Sequence, residues 1–300
     1  MALWIPITFA AALFQTARTA TQQRLRSLLS VSAAGFVRYA YGAPLALFAV
    51  VVMLATERYR VPPIPVRFWF IVAGAGLAQI FGTVCLIRSF DARDFAIGTV
   101  YSKTEVVLVA LFSMVLLREP LRPAGWVGVA VCLVGIVLLA AKNGSAATIL
   151  KRFDDRAAKF GITAGALFGL AAVGIRAASK DLGKDNPVVL RALITLAAMN
   201  SMQTVLHGGY LFLRERDQLV KSFKVWRSSA IVGVLSVCGS ACWAIAVTLQ
   251  NAARVRTVGQ VELLFTFAAA HFWLKERHSR PEYFASALIL VAVVVVLAYG

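Results

Sequence analysis

A chain of 300 residues that is 60% hydrophobic and only 15% charged, with a mean hydropathy of +0.76, cannot clothe a water-exposed surface in polar side chains. That balance excludes an ordinary soluble domain and points to a polytopic membrane protein. Nor does the net charge of +17 indicate nucleic acid, because the basic residues collect in the breaks between apolar runs, where the positive-inside rule puts them, and no basic run is interleaved with exposed aromatics in an RNA-binding pattern.

Ten apolar runs suit a hydrocarbon core about 30 Å thick: roughly 3–20, 31–55, 67–88, 96–117, 123–141, 160–178, 187–213, 229–250, 254–274 and 281–299. The first, MALWIPITFAAALFQTARTA, has the apolar core of a cleavable leader but lacks its basic n-region, and is read as a span. Span three carries the small-residue stretch AGAGLAQIFG (Ala73 to Gly82), which lets helices approach closely, and it holds Gln79. Span four contains TVYSKTEVVLV (Thr99 to Val109), which places Lys103 and Glu105 inside an apolar run. The longest break, KNGSAATILKRFDDRAAKF (Lys142 to Phe160), falls near the midpoint. Span seven carries Asn200, Ser201, Gln203 and His207, too polar a set for a face turned to lipid. All four cysteines (Cys85, Cys132, Cys238, Cys242) lie in apolar runs and read as small packing residues; no metal site is expected.

Sliding the chain on itself by 157 residues aligns spans three to five with spans eight to ten. Gly76, Gly82, Cys85, Glu105 and Glu119 then meet Gly233, Gly239, Cys242, Glu262 and Glu276, so two glutamates fourteen apart match two others fourteen apart. A slightly smaller shift pairs AALF (Ala11 to Phe14) with GALF (Gly165 to Phe168), and Arg38 with Arg191. Five spans per repeat is an odd number, so the two halves enter the membrane in opposite senses. The predicted fold is all-α: ten transmembrane helices as two inverted five-helix repeats, 1–141 and 160–300, joined by a basic linker, 142–159. Inverted repeats of this kind mark secondary transporters, with sites near the midplane.

The segment LREPLRPAGWVGVAVCLVGIVLLA (Leu117 to Ala140) resembles the span-four-to-five signature of the EamA family, in the drug/metabolite transporter superfamily. LKERHSRPEYFASALILVAVVVVLA (Leu274 to Ala298) is a degraded second copy, with Tyr283 in place of the tryptophan. The resemblance covers essentially the whole chain. It implies a multi-pass transporter, most often an exporter, and says little about the cargo.

No GxxxxGK, no HExxH and no Ser/His/Asp set is present, so no enzymatic activity and no cofactor are expected. Residues two apart on a helix do not face each other, so Lys103 and Glu105 each need a partner from elsewhere. An unpaired charge near the bilayer centre costs at least roughly 2.5–3.5 kcal/mol. Tyr101, one turn before Glu105, is placed to donate a hydrogen bond to it. The repeat puts Gln260 opposite Lys103 and Glu262 opposite Glu105. Read functionally, these residues form a binding and gating site near the midplane. Read structurally, they form a buried ion-pair network, such as Glu262 with Lys103, that fixes helix register. Arg38 and Arg191 lie five to eight residues inside their spans, as substrate contacts or as side chains snorkelling to the headgroups. Gln79 and Asn200 either line a cavity or hold helices together. Glu119 and Glu276, at span ends, are helix-stop devices.

These features predict a secondary active or facilitative transporter of a small organic metabolite, an amino acid or organic anion, with protons a candidate coupling ion. A flippase for a lipid-linked intermediate and an efflux pump for lipophilic cations are the competing readings. Membrane lipids are the expected partners, no nucleic acid is, and the chain is expected to be a monomer or homodimer in a cell membrane, the bacterial inner membrane by resemblance. The charge count across the breaks puts both termini outside the cytoplasm; the resembled family implies both inside.

Overall fold

The computed structural model describes residues 2–25, 27–91, 101–140, 156–265 and 280–299. Among them every regular element is a helix: α1 (Trp4–Leu25), α2 (Val31–Thr56), α3 (Val66–Asp91), α4 (Glu105–Leu117), α5 (Pro123–Ala140), α6 (Arg156–Asp181), α7 (Val188–Arg214), α8 (Arg216–Lys224), α9 (Trp226–Leu249), α10 (Ala252–Val258) and α11 (Arg280–Tyr299). Six of these, α2, α3, α6, α7, α9 and α11, are long and apolar enough to cross a membrane. The second half of α1 (QTARTATQQRL) is too polar to join them, and Thr16, Thr19 and Thr21 turn their hydroxyls back onto carbonyls four residues earlier. Most of the linker, the end of the ninth expected span and Glu276 lie outside the described residues.

Local signals set the helix ends. Ser30 caps α2 in the extended region, its hydroxyl accepting from the Ala33 amide at 3.2 Å. Pro123 opens α5 at the position where a missing N–H costs nothing. At the end of α4, Arg118 takes the left-handed conformation (φ 54°, ψ 38°), and the Arg118 and Glu119 amides both donate to the Ser113 carbonyl. The LRE motif is therefore a helix stop made without glycine.

The helices gather into two compact units, residues 1–80 with 171–250 and residues 81–170 with 251–300. Neither coincides with a sequence repeat, because each draws on both halves of the chain. In the first unit α2 packs on α7 and α9, α1 on α9, and the short α8 on α2 and α7. Small residues permit this: a Cβ on Gly233 would sit 2.3 Å from the Tyr41 Cβ. In the second unit α5 packs along α11, and α10 lies against α4 and α11.

Two expected spans are not single helices. Span four breaks at Lys103–Thr104 and span nine at Gly259–Gln260. At the first break the amides of Thr104, Val106 and Val107 reach back only three residues, to Tyr101, Lys103 and Thr104. At the second, Gln260, Glu262 and Leu263 do the same to Thr257, Gly259 and Gln260. Both are the tight 3₁₀ pattern, and the two are 156 residues apart, one fewer than the sequence register.

Candidate functional site

The two breaks bring four charged side chains together in the interior of the second unit. The first releases the Tyr101 carbonyl, which accepts from both the amide and the hydroxyl of Thr104, the latter at 2.6 Å. Close packing surrounds it: a Cβ on Gly165 would lie 2.8 Å from the Ser102 carbonyl oxygen and 3.0 Å from the Glu105 amide nitrogen. Only glycine lets α6 approach the broken turn that closely. Glu105 then starts α4, where a carboxylate sits favourably against the helix N-terminus.

Two ion pairs link the segments around the breaks, and they cross in opposite senses. The Lys103 ammonium, on the first segment, meets the Glu262 carboxylate on the second. Glu105, on the first, meets Arg256 on the second, Nε to Oε1 at 3.3 Å. The four side chains are only 10–14% exposed. Between Arg256 Nε and Glu105 Oε1 the geometry is not that of a hydrogen bond, so theirs is an undirected charge contact. The cluster holds two cations and two anions, each matched.

The structure gives this stretch partners that the sequence left open. Glu105 takes its charge partner from Arg256, and the Tyr101 ring packs in an apolar cluster with Cys132, Ile136 and Ile289. The turn at Lys103–Thr104 removes the one-turn relation that a continuous helix would have given them. Gln260, in the second break as Lys103 is in the first, is buried, and its amide donates back to the Arg256 carbonyl at 3.2 Å. Arg256 was not foreseen. It stands third in the expected ninth span, two residues from Arg254 in a short RVR run.

The other candidates lie in the first unit, where the structure scatters them into local contacts. Gln203 donates to Gln79 Oε1 and to the Gly76 carbonyl, each at 3.0 Å, so Gln79 joins α3 to α7. Asn200 is buried beside Gly42, whose absent Cβ would stand 3.3 Å from its Nδ2. His207 meets the Ser32 hydroxyl at 2.9 Å among Phe36, Tyr39 and Tyr210. Arg38 and Arg191 are both 7% exposed, so neither snorkels outward. The Arg38 guanidinium lies 5.5 Å from the centre of the Tyr39 ring, and Arg191 points at the Ser179 carbonyl at 3.5 Å. An unforeseen third arginine, Arg176, donates to the carbonyls of Val247 (2.5 Å) and Gln250 and so caps the C-terminus of α9. At the span ends of the second unit, Asn251 donates to the Glu119 carbonyl at 2.9 Å and caps α10 through Ala253.

A family model described as the EamA-like transporter family matches residues 2–141 and 156–298. A curated protein from a Sinorhizobium species, named "Uncharacterized transporter in cobO 3'region", is 33% identical over 90 residues, which is 30% of this chain and 64% of that relative. A crystal structure of a protein at 15% identity covers 98% of this chain and 97% of its own, with a TM-score of 0.69; at that identity the likeness concerns the fold.

Proposed function

Because the chain belongs to the EamA-like transporter family, we propose that it is a secondary active or facilitative exporter of a small zwitterionic or anionic metabolite, an amino acid or organic acid. Ten spans in two inverted five-helix repeats, 1–141 and 160–300, rock between inward- and outward-open states around a site near the midplane. Each compact unit's mixture of helices from both repeats supports that reading.

The observation that carries the proposal is the crossed pair of ion pairs at the two helix breaks, Lys103 with Glu262 and Glu105 with Arg256. A buried pair broken from one side leaves an uncompensated charge, at about 3–5 kcal/mol. A zwitterion avoids that cost. Its carboxylate replaces a glutamate on Lys103 or Arg256 while its ammonium takes up the displaced carboxylate. Loading and the opening of the pairs are then one event, which is how a transporter ties movement to cargo. A cargo with one charge satisfies half of the exchange. In a purely facilitative cycle nothing else is needed; in a driven one, a proton on a displaced glutamate does the same work.

The test is counterflow in vesicles of reconstituted protein. Free amino acids should exchange, while their methyl esters and N-acetyl derivatives exchange at least about a hundredfold more slowly, the factor matching roughly 3 kcal/mol. Flux of lipophilic cations alone would replace this reading with cation efflux, and no flux of any metabolite would sink it.

A further inference from the structure

We propose that the corner joining α7, α8 and α9 is a binding site for one anionic phospholipid, headgroup on α8 and acyl chain along α9. It does not depend on the identity of the cargo.

The segment from Arg214 to Arg227 carries five basic residues, Arg214, Arg216, Lys221, Lys224 and Arg227, against two acids, Glu215 and Asp217. One of those acids is turned inward: Glu215 accepts from the Ser30 hydroxyl at 2.5 Å. The basic residues are exposed, and they share the surface with large apolar ones, Phe212, Leu213, Val220, Phe223 and Trp226, each between 48% and 79% exposed. Two of the cations lie on those rings, Arg216 at 5.1 Å from the centre of Phe212 and Arg227 at 5.6 Å from Trp226. Positive charge stacked on exposed aromatic rings is the composition of a membrane–water interface.

This surface is built in advance of any ligand. Gln218 accepts from the Ser30 amide at 2.9 Å, Ser229 donates to the Ser222 carbonyl at 2.9 Å, and Phe223 packs on Phe36 and Tyr41. From it runs a shallow groove of about 500 Å³, lined by Trp226, Arg227, Ala230, Ile231, Val234 and Leu235. Those residues span about 14 Å of helix at 1.5 Å per residue. Trp226 and Arg227 stand at the end of the groove next to α8, and aliphatic side chains line the rest.

The occupant must therefore be negative at one end and aliphatic beyond it. A nucleic acid matches the charge but has nothing for the groove. A second copy of this chain related by a two-fold axis would lay the basic corner against itself, where like charges repel. An anionic phospholipid satisfies both ends, and its leaflet density makes a shallow groove sufficient.

The experiment uses the full chain in neutral detergent, titrated with phosphatidylglycerol or with phosphatidylcholine, reading the melting temperature. Phosphatidylglycerol should stabilise the protein more, with an apparent affinity that falls about fivefold for each of Lys221→Gln, Lys224→Gln and Arg227→Gln and falls further at high salt. A groove-filling variant, Ala230→Phe, should lower the affinity for both lipids while leaving the headgroup preference intact. A diazirine-bearing phosphatidylglycerol should label the peptide from Trp226 to Leu235. Equal stabilisation by the two lipids, an unaltered affinity in the variant carrying all three glutamines, or cross-links from this peptide to a second copy instead would each overturn the proposal.

Discussion

The two compact units differ in which charged residues they bury most completely. Among the described residues, the buried arginines, Arg38, Arg176 and Arg191, all belong to the first unit, and the buried glutamates, Glu105, Glu262 and Glu282, all belong to the second. They are also satisfied differently. In the first unit Arg176 and Arg191 donate to backbone carbonyls, Arg38 lies over an aromatic ring, and neutral amides tie α3 to α7. In the second, carboxylates meet the long side chains of Lys103 and Arg256. A backbone carbonyl stays where its helix holds it, so only the arginine can leave, whereas in a side-chain pair both partners can move by rotamer changes. The first arrangement suits a frame and the second suits a switch.

Breaking that distinction is easiest at its strongest point. Lys103→Met removes the cation that faces Glu262 and should abolish counterflow while destabilising the protein by about 3–5 kcal/mol. The double variant Lys103→Met/Glu262→Met, which removes both charges, should recover most of the stability and none of the transport, read by thermal unfolding and counterflow at matched expression. Recovery of both would make the pair a strut, and the contrast between the units would vanish.

The packing of the first unit comes next in size. Gly233→Ala forces a Cβ to within 2.3 Å of the Tyr41 Cβ, so a helix must move; a loss of about 1–3 kcal/mol is expected. Gly74→Ala, with nothing within 4 Å, should be neutral or slightly stabilising in the same unfolding assay. Similar losses at both glycines would mean that α2 and α9 are not held so close.

The polar ties of the first unit should matter less than the charges of the second. Gln203→Leu removes the bonds to Gln79 and Gly76, and interhelical hydrogen bonds in membranes average about 0.6 kcal/mol. Stability should drop by about 1 kcal/mol for the two bonds together, with counterflow retained. Transport lost at unchanged stability would move the binding site into the first unit.

The smallest effects belong to the helix stop of α4. Arg118→Gly relieves a left-handed residue and should leave stability unchanged or raise it by up to about 1 kcal/mol. Glu119→Gln should transport nearly as the parent protein does, because the polar contact that Asn251 makes there is to the backbone carbonyl. Glu105→Gln should be far slower, and equal rates for the two would remove Glu105 from the site.

What sequence alone determined is what repeats along one dimension. The ~20-residue hydropathy period follows from membrane thickness, and the paired glutamates of LRE and LKE carried the family resemblance. It also required that Lys103 and Glu105 find separate partners, since two residues on a helix point apart. Which partners they find was decided in three dimensions. Neither break contains a proline and only the second contains a glycine, so no local breaker announced the first. Both depend on packing, as where α6 meets the first break at Gly165. Once span four breaks, Tyr101 turns into the apolar core and Glu105 faces Arg256. A buried charge takes whichever opposite charge the fold brings within reach, and that reach is a property of the packed helices.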